Sequence, residues 1–194
     1  NCARAWSKMR WCLETILVIK LKAITTFGDQ IIEEFDPTKL EFKNFSSYQD
    51  KYIKNTAKGY SIQKGEYLEA SVENKGWAVA PLYYDGEPYP RNSDVMPKTT
   101  KILKYVGYTK YAGVTSLHPN FGLDWHTDDY GKLSPNHTRY FYTLKTDGMT
   151  YLDVEGKERQ YFKEKEHIIF QPKKKHRVWN EGKEPRYSLV IDVW

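Results

Sequence analysis

From Tyr111 onward the apolar positions fall into short runs of β character separated by turn residues: Tyr111 to Leu117, Arg139 to Leu144, Thr150 to Val154, Glu158 to Phe162, His167 to Phe170, Arg177 to Asn180 and Tyr187 to Val193. Strands of that length and spacing predict a mainly β domain of the barrel or jelly-roll kind. The earlier half reads differently. Ser46 and Ser47 offer an N-cap, Gln49 stands at the capping-box offset, and Tyr48, Tyr52 and Ile53 recur at helical spacing up to Gly59, which predicts a helix. A second helix is predicted from Pro97, with Ile102, Leu103 and Val106 on its apolar side and Gly107 as its stop. Between the two, Gly76 to Tyr84 reads as a strand, placed at a sheet edge because Pro81 has no N–H to give. Asp85 to Pro90 reads as a loop and a candidate lid, since its prolines suit neither a helix nor a central strand.

The chain has no internal repeat, low-complexity tract or Gly/Ser linker, so residues 1–194 read as one domain, helix-rich over about 1–96 and β over about 97–194. The helices are expected to pack outside the β core. With 40% hydrophobic and 15% aromatic residues the chain can offset its ordering entropy, which excludes a disordered tail. Cys2 and Cys12 lie together at one end, so no disulfide framework holds the rest and no oxidising compartment is required. The apolar run Leu13 to Leu21 is broken by Glu14 and Lys20, too short and too charged for a transmembrane span. Arg4, Lys8 and Arg10 precede it as in a signal peptide, but no small-residue cleavage site follows, and a cytoplasmic protein is expected. The net charge of +5 is common in proteins that bind no nucleic acid, so neither membrane nor nucleic acid is expected as a partner.

The candidate chemistry lies in the β half. His126 and Asp128 are one residue apart, so on an extended segment they face the same side. His176 follows fifty positions after His126, and Arg186 ten positions after that. Two imidazoles and a carboxylate make a triangular face suited to non-haem Fe(II), with coordination positions left open for co-substrate and dioxygen. Such a site needs Asp128 ionised and the ligating nitrogens unprotonated, so its metal affinity weakens in acid. Arg186 adds a planar donor fork that can hold the far carboxylate of a dicarboxylic co-substrate. A lone His-x-Asp more often marks a hydrogen-bonded pair. The later His176 and Arg186, correctly ordered on predicted strands, give it weight.

With their neighbours these residues resemble a known family. The stretch His118-Pro119-Asn120-Phe121-Gly122-Leu123-Asp124-Trp125-His126-Thr127, Arg139 heading a strand that ends in Leu144, Gly148, Phe170, His176-Arg177-Val178-Trp179-Asn180 and Ile191-Asp192-Val193-Trp194 are similar to the aspartyl/asparaginyl β-hydroxylase family. The similarity covers about residues 97–194. It implies a double-stranded β-helix, the cupin-like jelly roll, with flanking helices. It implies an Fe(II)- and 2-oxoglutarate-dependent dioxygenase that hydroxylates a free amino acid, or an amino-acid side chain in a peptide, with succinate and CO2 as co-products. By position, the resemblance makes His126 and His176 metal ligands and Arg186 the partner of the distal 2-oxoglutarate carboxylate. Arg139 falls among residues lining the co-substrate or substrate pocket, and Thr115, with Ser116 beside it, where a small hydroxyl residue faces the co-substrate. The animal peptidyl hydroxylases of the family have Gly in the place of Asp128. Its presence here is similar to the free-amino-acid hydroxylases, such as the proline cis-hydroxylases, and argues against a halogenase.

Other features have blander readings. Lys173-Lys174-Lys175 reads as a solvated turn before it reads as a positive rim, and Trp125 and Trp179 as packing around the ligand strands. Asp129, Tyr130 and Asn136 lie in a loop able to contact substrate, whereas His118, His137 and His167 read as structural. Two rival functions remain at this level: a cupin-like metal-binding protein or isomerase without oxygen chemistry, and a basic β-protein that binds nucleic acid through tyrosines.

Overall fold

A computed structural model of the chain describes residues 24, 26–44, 76–84, 87–106, 109–128 and 138–193. The helix expected between Ser46 and Gly59 lies outside these residues, as do Gly107, Asp129, Tyr130, Asn136 and His137. In chain order the elements are α1 (Gly28–Glu34), β1 (Lys43–Asn44), β2 (Trp77–Tyr84), β3 (Glu87–Pro88), α2 (Pro90–Val95), α3 (Pro97–Val106), β4 (Thr109–Leu117), β5 (Phe121–His126), β6 (Thr138–Lys145), β7 (Thr150–Val154), β8 (Gln160–Tyr161), β9 (His167–Phe170), β10 (His176–Asn180) and β11 (Arg186–Val193).

Strand alternation sorts the side chains into two cores. Along β11, Leu189, Ile191 and Val193 pack with Tyr140, Tyr142 and Leu144 of β6, with Ala112 and Val114 of β4, and with Ile31, Ile102, Leu103 and Val106 of the helices. The intervening Val190 packs instead with Phe141, Leu117, Leu152, Val178 and Phe162. A period of two with both faces apolar means a sheet covered on both sides. One face of the seven-stranded sheet, in order β1-β2-β4-β11-β6-β9 with β3 also on β2, carries the helices. The other faces the four-stranded sheet β5-β10-β7-β8. All pairings are antiparallel. Two such sheets closed over a shared core are the expected double-stranded β-helix, with the helices outside it.

The first part of the chain is less separate than its sequence suggests. β1, β2 and β3 all join the large sheet, and β2 is not an edge strand. β1 covers Ala78 and Val79 and β3 covers Tyr83 and Tyr84, leaving Pro81 in the gap between them. There the ladder to β4 bulges between Pro81 and Tyr83, which suits a residue without an N–H. Asn92 of α2 fills the gap by donating Nδ2 to the carbonyls of Pro81 (3.0 Å) and Glu41 (3.2 Å) and accepting from the Glu41 N–H (2.8 Å). Of the stretch expected as a loop, Asp85 and Gly86 lie outside the described residues, Glu87 pairs with Tyr84, and Pro90 opens α2 as its N1 residue, where a missing N–H costs nothing.

α3 has the predicted bounds. Its N-terminus is capped from a distance: Glu34, at the end of α1, accepts from the Lys98 N–H (2.6 Å), the Thr99 N–H (2.8 Å) and the Thr99 hydroxyl (2.9 Å). A carboxylate at the positive end of a helix satisfies orphan donors and the macrodipole together. Glu34→Ala is expected to lower stability by about 1–2 kcal/mol, read as a lower urea midpoint. An unchanged midpoint would contradict that role. Among the described residues no helix is long and apolar enough to cross a membrane.

Candidate metal centre

His126 ends β5, His176 begins β10, and the two are register partners. Between them and the next pair, Val178 with Leu123, β5 carries one extra residue. That bulge decides which way His126 points. Leu123 packs in the core between the sheets, so regular alternation would turn Trp125 inward and His126 out. With the bulge Trp125 is exposed, and the His126 ring comes to 4.3 Å from that of His176, centroid to centroid. Trp179, on the outer face of β10, covers Gly122 so closely that a Cβ there would sit 2.2 Å from the indole. Any larger residue at 122 would push apart the two strands that carry the imidazoles.

Asp128 lies beyond the end of β5, so its approach is not the strand alternation expected from sequence. Its N–H donates to the Pro172 carbonyl (2.9 Å), which ties the segment to the turn preceding β10. One carboxylate oxygen lies 3.5 Å from His126 Nε2 and the other 4.0 Å from His176 Nε2. Among the described residues this is the one group of three potential metal ligands, with donor atoms all within 4.8 Å of one another.

Both imidazoles are oriented by a backbone carbonyl. His176 Nδ1 lies 2.8 Å from the Lys174 carbonyl, and His126 Nδ1 contacts the Asp124 carbonyl. A carbonyl only accepts, so each Nδ1 carries a proton, and Nε2 is the nitrogen that faces Asp128 and would be offered to a metal. Burial drives the His176 pKa down to about 4, with Asp128 opposing. Burial also works against the charged Asp128, but Arg139 and the two histidines outweigh it and hold the carboxyl below its ordinary range.

The sign of the pH effect follows. Between the ordinary 6.5 and about 4, the unfolded chain binds a proton at His176 that the folded chain refuses. Metal-free stability therefore falls as pH drops through that window, by on the order of 3 kcal/mol in all. Chemical denaturation between pH 7 and 4 should show that loss in the wild type and a much shallower one in His176→Gln. Equal slopes would contradict the assignment.

Arg139 stands beside this group. Its Nη1 donates to Asp128 Oδ2, while Nε and Nη2 donate to the two carboxylate oxygens of Asp192 at 2.7 and 2.8 Å. The resemblance makes it a pocket residue, and the structure places it against these two carboxylates.

Arg186 is 2% exposed, and its guanidinium lies 4.7 Å from the Phe162 ring and 5.7 Å from that of Phe141. Nη1 donates to Thr115 Oγ1 (3.3 Å), whereas Nε is buried with no hydrogen-bond partner. Among the described residues no carboxylate pairs with it, and burial alone pushes its pKa down to about 9. Ser188, two positions on and in register with Thr115, has a buried hydroxyl likewise without a partner. Alternation along β11 from Arg186 would have found Ser188 and Asp192 in the sequence. Ser116 does not join them. Its β11 partner is Tyr187, which packs among the helices, so the pleat turns Ser116 to the opposite face from Thr115.

The other candidates stay apart. Lys173, Lys174 and Lys175 are exposed in the turn before His176, His118 is exposed, and His167 stacks on Tyr140 at 5.4 Å.

No curated protein sequence matches the chain significantly. Among solved structures, the cupin domain of an XRE family transcriptional regulator from Enterobacter cloacae covers 61% of this chain and 97% of its own, at 14% identity and TM-score 0.41. The DMSP lyase DddQ from Ruegeria pomeroyi covers 83% and 68%, at 16% identity and TM-score 0.45. A predicted oxalate decarboxylase from Thermotoga maritima covers 60% and 79%, at 14% identity and TM-score 0.40. The sequence profile for aspartyl/asparaginyl beta-hydroxylase matches residues 29–194, reaching from α1 through both sheets and well beyond the second-half similarity read from the sequence; the chain belongs to the aspartyl/asparaginyl β-hydroxylase family.

Proposed function

We propose that the chain is an iron(II)- and 2-oxoglutarate-dependent dioxygenase that hydroxylates a free amino acid, or an amino-acid side chain in a peptide. The observation that carries this reading is a pair of complementary groups in one barrel: two Nε2 atoms beside a carboxylate, and a buried guanidinium that pairs with no carboxylate among the described residues. The donor set would suit a ferrous ion, which takes imidazole nitrogen together with hard carboxylate oxygen. A buried cation with an unsatisfied N–H fits a carboxylate equally well.

In this reading His126, Asp128 and His176 would hold the metal, and Arg186, Thr115 and Ser188 the distal carboxylate of 2-oxoglutarate. Iron(II) with 2-oxoglutarate supplies the dioxygen-activating chemistry that hydroxylates a C–H bond and releases succinate and CO2. The protein's own work is positioning. Lys174 and Asp124 orient the imidazoles through their carbonyls, and Arg139 keeps Asp128 ionised and oriented. Phe141 and Phe162 keep water from the Arg186 contact, which strengthens a charge-assisted hydrogen bond there. The intact Asp128 favours a small amino-acid substrate.

The test is oxygen uptake and succinate release on adding iron(II) and 2-oxoglutarate, screened across the twenty amino acids and a peptide panel. Stimulation by one substrate class is expected. Metal retention with no oxygen uptake under any condition would overturn the reading in favour of a cupin-like metal protein.

A further inference from the structure

We propose that Asp192 is a positioning residue of the metal centre: it occupies the Nε/Nη2 edge of Arg139, so that Arg139 offers only Nη1 to Asp128, and its charge lets a metal cation sit beside that guanidinium. This rests on the metal reading above.

Arg139 and Asp192 are register partners on β6 and β11, with side chains on the face shared by the two sheets, and Asp192 is 3% exposed. The two contacts of 2.7 and 2.8 Å form a side-on fork, the arrangement a guanidinium and a carboxylate hold most rigidly. What remains directed at Asp128 is the single donor Nη1, on Oδ2. Oδ1 is left facing His126 Nε2 at 3.5 Å.

The charges make the same point. Arg139 alone would cancel Asp128, leaving a neutral ligand set and a cation repelling any metal. Asp192 restores one net negative charge. If residue 192 were an amide, its N–H2 could not accept from the guanidinium, and Arg139 would turn its fork onto Asp128 and occupy both oxygens.

The experiment is a titration of the full chain with Co(II), followed by its visible absorption, with folding checked by far-ultraviolet circular dichroism. Asp192→Asn should weaken Co(II) binding at least about tenfold. Adding Arg139→Gln to Asp192→Asn should recover at least about threefold of that loss, because the unopposed guanidinium is gone. A merely structural role predicts that the double variant binds no better than D192N, and that result, or equal binding by D192N and wild type, overturns the proposal. Should D192N not fold, Arg139→Lys decides. It keeps the charge but cannot fork, so weaker Co(II) binding is expected and unchanged binding overturns the proposal. A wild-type chain that binds no Co(II) overturns the metal reading itself, and the proposal with it.

Discussion

With His176 replaced by alanine, the chain is expected to retain no iron(II) and to lose its substrate-independent conversion of 2-oxoglutarate to succinate. His176 is the most enclosed of the three candidate ligands, 3% exposed, with the Phe170 ring 4.8 Å away and its Nδ1 committed to the Lys174 carbonyl. Among the described residues no fourth donor joins the group to take its place. Loss of a mere supporting residue weakens metal sites by about 10–100-fold, and loss of a ligand should exceed that. The fold should survive, since the barrel's apolar contacts lie on other residues. Iron content and succinate production near wild-type levels in a folded variant would remove His176 from the site.

Arg186→Met is expected to have effects of opposite sign on binding and on stability. The 2-oxoglutarate concentration for half-maximal turnover should rise by roughly a hundredfold, the equivalent of one or two charge-assisted hydrogen bonds. The unliganded chain should lose no stability. In the free protein Arg186 is a desolvated cation on two phenylalanine rings, with one hydroxyl partner and an unsatisfied Nε. A flexible apolar side chain of similar length removes that burial cost. Thermal melting without co-substrate, beside kinetics across 2-oxoglutarate concentrations, checks both halves. A half-saturating concentration within about twofold of wild type would deny the contact, because a desolvated ionic contact cannot be worth so little.

What the sequence could tell depended on how local each feature is. The ends of β7, β9 and α3 lie where turn residues, Pro97 and simple periodicity place them, since each is decided by its own neighbours. β1 and β3 are two residues each and exist only because β2 has an outer edge to cover. Nothing in Lys43-Asn44 announces that. The same holds within the site. His126, Asp128, His176 and Arg186 stand out by residue type and order, yet the device that turns His126 inward is a bulge in β5, defined by its pairing with β10. Thr115 and Ser116 adjoin in the sequence, and the pleat parts them. Ser188 stands in none of the motifs, and Asp192 stands in the last of them without a role, although both share a strand face with Arg186. The resemblance marks Arg139 as a pocket residue, and its contacts to Asp128 and Asp192 become visible only once β6, β11 and the Asp128 segment meet.

The most direct measurement is anaerobic visible absorption of the purified chain with iron(II) and 2-oxoglutarate added separately and together. A charge-transfer band should appear only with both, at one iron per chain, and be absent from His176→Ala. If the wild-type chain takes up no ferrous ion, or gives the same spectrum whether or not the keto acid is present, the central claim is wrong.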